Sequence, residues 1–201
     1  MENINIKTIS FKKSFLFALI ISLSVSALVA IYIFLSGNFE DAEIRILLTT
    51  LAIGGYSLMG LCSSALYEKK KYIIFTNFGI IVSIVGFLIT VCSIWELWDY
   101  LNLMPSYTDS IWQLVISLII LSISVSHASL LLIGTQEKKI LKIILYATLL
   151  FITVVASMLI NTVYNDVYLN DFYYRLLGVF AVLDVLGTII LPILRKITKN
   201  N

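Results

Sequence analysis

The sequence predicts an all-α membrane protein, a polytopic bundle of six transmembrane helices. Three observations lead to this prediction: the composition, the lengths of six apolar segments, and the sorting of charge between them. The 201 residues are 60% hydrophobic and only 13% charged, whereas a soluble domain is close to half apolar and a quarter charged. A soluble fold of this length could not cover so much apolar surface, so we expect lipid to surround most of the chain.

Each of the six apolar segments has about the 20 residues that a helix needs to cross a hydrocarbon core of about 30 Å. Helices are expected because a lone strand would leave its backbone groups unpaired in lipid. Nothing indicates a second domain or a linker, so residues 1–201 are expected to form a single integral membrane domain. The predicted spans are 15–36, 46–67, 72–95, 111–134, 140–160 and 175–194.

The charged residues are sorted by side. Twelve of the 14 lysines and arginines form four groups of three, each at the same end of an apolar segment, whereas the opposite connections carry eight acidic residues. Basic residues beside spans stay in the cytoplasm, which predicts both termini inside and antiparallel neighbours joined by short cytoplasmic turns at 68–71 and 135–139. The basic groups are Lys7, Lys12 and Lys13; Lys69, Lys70 and Lys71; Lys138, Lys139 and Lys142; Arg195, Lys196 and Lys199.

The same patterns argue against several kinds of partner. The lysines are spread over four short segments and form no basic stripe, so no nucleic-acid partner is expected. His127, Cys62 and Cys92 lack the paired spacing of a zinc site, which takes three or four ligands. We therefore expect no metal and no cofactor. Short loops and few outer basic residues favour the bacterial inner membrane, with the bilayer as the main partner.

Asp184 is the most informative residue, because it lies near the middle of the sixth span. A charge there costs at least about 2.5–3.5 kcal/mol, so the carboxyl is expected to be protonated, paired or turned into the bundle. It is a candidate proton or cation site, or alternatively a carboxyl bonded to a neighbouring helix. His127, the only histidine, shares its helix face with Ser124. At 1.5 Å per residue, His127 and Asp184 differ in depth by about 10 Å, which is too far for a direct hydrogen bond unless the helices tilt or shift, whereas a water-bridged relay could span it.

A glycine-flanked serine lies in the second span, in the segment from Gly55 to Gly60. With a histidine on another span and six helices, it resembles the rhomboid-type intramembrane proteases, which implies an intramembrane hydrolase. That family has glycine directly after the serine, where Leu58 stands here, and its histidine lies on the last span. The alternative is that the glycines are packing positions and that Tyr56, a candidate intramembrane polar residue, bonds across helices.

Small residues recur on one face of the third span at Gly79, Ser83, Gly86 and Thr90. Such stripes let helices approach closely. This face is expected to pack inside the bundle or to join two copies of the chain in a homo-oligomer.

Arg45 and Arg175 lie on the acidic side, each at the start of a span. Asp41 and Asp171 stand four residues before them, a spacing that suits a salt bridge along a helix. The alternative is that both arginines hold an anionic headgroup or substrate at the outer mouth.

For function, the sequence favours a non-catalytic membrane or assembly protein, since no strong nucleophile–base pair or metal cluster stands out. The alternative is a small transporter or channel-like protein that uses Asp184, with His127, as a proton or cation site. An intramembrane hydrolase is the least favoured. We expect no enzymatic activity.

Reporter fusions test the predicted topology. A reporter that is active only outside the cytoplasm should be active when inserted at 98–107 and inactive at 135–137, because basic residues are retained inside. Both tails should report the cytoplasm. Tails on opposite faces would contradict an even number of spans.

Overall fold

The computed structural model describes residues 3–36, 41–69, 72–97, 108–134, 138–165 and 170–199. Within these ranges the chain forms six long α-helices and no strand, and each helix contains a segment long and apolar enough to cross a membrane. The all-α class and the six predicted segments are thereby confirmed. The helices are α1 (Asn3–Ser36), α2 (Asp41–Ala65), α3 (Ile73–Ile94), α4 (Thr108–Ile133), α5 (Lys139–Asn165) and α6 (Asp171–Lys199), with a 3₁₀ turn, Leu66–Lys69, after α2.

Most helices extend beyond the apolar segments that predicted them. The first begins at Asn3 instead of residue 15, and the last begins at Asp171 instead of residue 175. At the start of α6 the side-chain oxygen of Asn170 accepts a hydrogen bond of 3.0 Å from the backbone N–H of Tyr173. This is an N-cap. Apolarity marks where lipid surrounds a helix, whereas capping and backbone hydrogen bonds decide where it ends.

Consecutive helices run antiparallel. Ser26, late in α1, donates a hydrogen bond of 2.6 Å to Thr50, early in α2. Tyr173, early in α6, donates one of 2.8 Å to the carbonyl of Met158, late in α5. Helices α2, α3 and α4 all pack against one another at the centre, while α1 packs mainly on α2, α5 on α4 and α6, and α6 mainly on α5.

The bundle has two ends of different charge. We call the end where α1, α3 and α5 finish the acidic end, and the opposite one the basic end. Which end faces the cytoplasm stays a prediction. Parts of the predicted turns, residues 70–71 and 135–137, lie outside the described residues, as do Glu40, Asp99 and Asp166. The described acids at the acidic end are Asp41, Glu43, Glu96, Asp109 and Asp171.

The small-residue stripe of α3 packs inside one chain. A Cβ at Gly86 would lie 2.6 Å from ring carbon Cε1 of Tyr56 in α2, and one at Gly79 would lie 2.6 Å from the hydroxyl of Ser63. Ser83, between the two glycines, is 1% exposed. Since α2 occupies this face, it is not free to pair with a second copy; a homo-oligomer stays a prediction without this surface.

Arg195 joins the basic end of α6 to the end of α4. Its Nη2 donates a hydrogen bond of 2.9 Å to the carbonyl of Leu131, one of the last four carbonyls of a helix that ends at Ile133 and so lacks a partner within that helix. A cation is favourable at that pole. Gly134 makes room for it, because a Cβ there would overlap the guanidinium group.

Replacing Gly86 by alanine tests the close packing of α2 on α3. The new methyl group should displace Tyr56 and lower the free energy of unfolding in detergent by roughly 1–3 kcal/mol. Gly178→Ala is the matched control, since no atom lies within 4 Å of its Cβ position; it should leave stability unchanged or raise it by up to about 1 kcal/mol through helix propensity. Equal effects at both glycines would contradict the packing described.

Candidate functional site

His127, Thr188 and Asp184 meet where the second half of α4 faces α6. The imidazole Nε2 of His127 lies 3.0 Å from the hydroxyl oxygen of Thr188, a hydrogen-bond distance. The same threonine hydroxyl hydrogen-bonds the carboxyl of Asp184, one helical turn earlier, and that carboxyl also interacts electrostatically with the imidazole. We call these three residues the polar cluster.

The polar cluster has a definite order of donors when the carboxyl is ionised. A hydroxyl group has one proton, so Thr188 donates it to Asp184 and accepts a hydrogen bond at its oxygen. His127 must then carry a proton on Nε2. The three side chains thus form a continuous hydrogen-bonded chain from one helix to the other.

The connection through Thr188 differs from what the sequence predicted. The expected depth difference of about 10 Å between His127 and Asp184 excluded a direct bond and suggested a bridging water. Thr188 lies four residues along α6 from Asp184, in the direction of His127, and its hydroxyl makes the bridge. Spacing along α6 alone does not reveal Thr188 as the bridge.

One carboxyl oxygen of Asp184 remains without a partner among the described residues. This atom, Oδ1, is buried and makes no hydrogen bond. Unsatisfied buried polar atoms are rare and costly. The carboxyl is therefore held in place by one oxygen and left available at the other.

The surroundings of the polar cluster bring α6 close to its neighbours. A Cβ at Gly187 would overlap the side chain of Thr148 in α5, so glycine is what allows this approach. Pro192 lies inside α6 and has no N–H, so the carbonyl of Thr188 receives no hydrogen bond from the residue four positions later. A second oxygen acceptor is thus freed on the same turn as the Thr188 hydroxyl.

The other two candidates for the intramembrane site make separate contacts. The Ser124 hydroxyl donates to the carbonyl of Ile120 in its own helix at 2.8 Å. The Tyr56 hydroxyl shares a hydrogen bond of 3.0 Å with that of Thr90 in α3, and Tyr56 is 5% exposed. Of the four residues proposed from the sequence, His127 and Asp184 come together, whereas Tyr56 links α2 to α3.

Arg45 makes an ion pair with a different acid from the one predicted. Its Nη2 lies 2.8 Å from Oε1 of Glu96, two residues beyond the end of α3, instead of pairing with Asp41 as expected. Antiparallel packing brings the end of α3 beside the first turn of α2, where an acid from another helix reaches the guanidinium. The indole N–H of Trp95, at the end of α3, also donates a hydrogen bond of 3.0 Å to the Thr49 hydroxyl in α2.

Arg175 is exposed at the start of α6, and in the described part of the chain no ion pair joins it to Asp171. The predicted salt bridge along this helix turn is therefore not formed. Binding of an anionic headgroup or substrate by either arginine stays a prediction.

The described ranges contain no group of three or more histidine, cysteine, aspartate or glutamate side chains that could hold a metal ion. Cys62 and Cys92 are free and partly buried.

Comparison of the chain with protein-family models, curated proteins and solved structures finds no significant match. The chemistry of this site therefore rests on its own geometry.

Replacing Thr188 by valine tests the bridge between α4 and α6. The substitution keeps the shape but removes the hydroxyl, so His127 loses its partner, and the free energy of unfolding in detergent should fall by about 0.6 and at most about 1.7 kcal/mol, as for other interhelical hydrogen bonds in membranes. Thr153→Val is the control, because the Thr153 hydroxyl bonds only the carbonyl of Leu150 in its own helix. A loss of stability no larger than that of the control would contradict the bridge.

Proposed function

We propose that this multi-pass membrane protein binds and passes a proton at the polar cluster, as a small transporter or channel-like protein. The observation that carries the proposal is the buried Oδ1 of Asp184, which has no hydrogen-bond partner among the described parts of the chain. A carboxyl needed only for packing would be expected to satisfy both oxygens, since an unsatisfied buried group costs free energy. An acceptor oxygen left open is instead suited to take up a proton.

The chemistry of the neighbours supports a proton over a metal ion. Chains of carboxyl and imidazole groups inside a membrane mark proton pathways, and both groups exchange protons directly. Thr188 joins the two through its hydroxyl. When Nε2 of His127 is free and Nδ1 carries the proton, a protonated Asp184 can donate to the Thr188 oxygen while the Thr188 hydroxyl passes its own proton to Nε2. The imidazole then releases a proton from Nδ1, so one proton enters at Asp184 for each that leaves His127.

We further infer that the basic end faces the cytoplasm of a bacterial cell. The support is the charge distribution alone: the groups of lysines at one end and acids at the other follow the positive-inside pattern. In this orientation Asp184 lies nearer the outer face and His127 nearer the cytoplasm.

Asp184→Asn tests proton movement directly. The purified protein is placed in liposomes that enclose a pH-sensitive dye, and a proton gradient is applied. The variant should reduce the protein-dependent flux at least tenfold, because an amide cannot take up a proton at this position. Asp171→Asn is the matched control, since the same change on the exposed first turn of the same helix should preserve flux.

Two results would overturn the proposal. One is a wild-type flux no greater than that of protein-free liposomes. The other is an unchanged flux in Asp184→Asn. Both variants must first be shown to remain folded, by equal elution and thermal stability in detergent.

A non-catalytic membrane or assembly protein is the second candidate. Polar bonds between helices that do not involve Asp184 favour it, because they specify packing without offering an open group: Ser126, for example, donates to the backbone carbonyl of Met59 at 3.0 Å. On this hypothesis the wild type would carry no proton flux, and Asp184→Asn would lower only stability or the retention of a partner protein.

A further inference from the structure

A cleft of about 340 Å³ lies between α2, α3 and α4, in the half of the bundle nearer the acidic end. Leu48, Gly55 and Met59 line it from α2, and Trp112 lines it from α4. Its hydroxyl-bearing residues, Tyr56 and Thr90, already bond each other, so the wall offers an occupant almost only apolar contacts. An apolar cavity does not hold water well.

The cleft is reached from the side of the bundle. Leu48 and Leu51, which line it, are 41% and 67% exposed, and Trp112 is 42% exposed. All of its lining residues belong to candidate membrane spans. Whatever enters it must therefore come from the hydrocarbon of the bilayer or from another membrane protein.

The length of the cleft matches one lipid leaflet. From Leu48 to Met59 the helix rises about 16 Å, which is close to half of the ~30 Å hydrocarbon core. Trp112 lies near the edge of the cleft at the acidic end, and Arg45 stands one turn before Leu48 on the same face of α2. Aromatic and basic residues of this kind suit the headgroup level of a membrane.

The volume argues against a partner helix. A helix is about 10 Å across, so a 16 Å length of it would need roughly 1,200 Å³. Even the whole space of the cleft, about 800 Å³ when its open mouth is included, is smaller than that. A single hydrocarbon chain is thin enough to fit.

Gly55 keeps the cleft open. No atom lies within 4 Å of the position its Cβ would take, whereas the neighbouring Gly54 and Gly60 are both contacted by side chains of α1. Close helix packing therefore does not require glycine at position 55. A larger side chain there would extend into the cleft.

We propose that this cleft is a binding site for one acyl chain of a membrane lipid from the leaflet at the acidic end. The chain lies along α2 from Trp112 towards Met59, and its headgroup remains at the level of Arg45. The site is separate from the polar cluster, which lies between α4 and α6.

Filling the cleft tests the proposal. Delipidated protein in detergent is titrated with palmitoyl-oleoyl phosphatidylglycerol, and bound lipid is counted by native mass spectrometry. The wild type should bind one molecule per chain, with saturation, before further lipid associates. Gly55→Leu should weaken this first binding step at least tenfold. Gly178→Leu is the matched control, because Gly178 also faces open space but lies on α6, away from the cleft; it should bind as the wild type does.

Stability separates a filled cleft from a damaged fold. Without lipid, Gly55→Leu should melt at the same temperature as the wild type or higher, because leucine occupies an empty space. Ala52, three residues before Gly55 on α2, also lines the cleft, so Ala52→Leu should reproduce the loss of binding. The proposal is overturned if the wild type shows no first step at one lipid per chain, or if the cleft-filling variants bind as tightly as Gly178→Leu.

Discussion

Helices in hydrocarbon gain little from burying apolar side chains, because lipid is as apolar as leucine. This constraint explains the centre of the bundle, where α2, α3 and α4 meet through small and hydroxyl-bearing residues while large apolar side chains point outward. Fully buried residues include serines and threonines from all three helices, whereas Phe34 and Ile74 are more than four-fifths exposed. Among the described residues, 13 buried serines and threonines lie beside 16 buried apolar side chains, so the close fit of small residues contributes to the specificity of packing together with apolar burial. The fully buried serines and threonines of these three helices are Ser63, Ser64, Thr76, Ser83, Ser122 and Ser129.

The sequence was sufficient for the number and class of the helices, because six apolar runs of spanning length leave no other backbone solution in lipid. It was also sufficient to single out Asp184 and His127 as the central ionisable residues. The contacts between helices were not predictable from it. Depth counted from span ends missed the bridge through Thr188, and spacing along one helix suggested Asp41 for Arg45 where Glu96 is the partner. Both errors have one cause: partners supplied by another helix leave no periodic trace in the chain.

The polar cluster sits on an unusual support. Helix α6 carries Asp184, whose Oδ1 is buried, yet of the six candidate spans it has the smallest share of buried residues. Its described polar links to α4 are the hydrogen bonds of Thr188 and Arg195. The carboxyl of Asp184 thus lies on the helix that buries the smallest share of its residues, and local stability is expected to be low there.

The two links of α6 lie on either side of Pro192, and this has a mechanical consequence. Arg195 joins the short segment beyond the proline to α4, while the longer segment before it is joined to α4 by the Thr188 hydroxyl and to α5 by the Tyr173 hydroxyl. Prolines are common pivots in helices. If α6 bent at Pro192, the longer segment towards the acidic end would move while the segment beyond the proline stayed against α4. Thr188 would then separate from His127. Such a movement would break the hydrogen bond between Thr188 and His127.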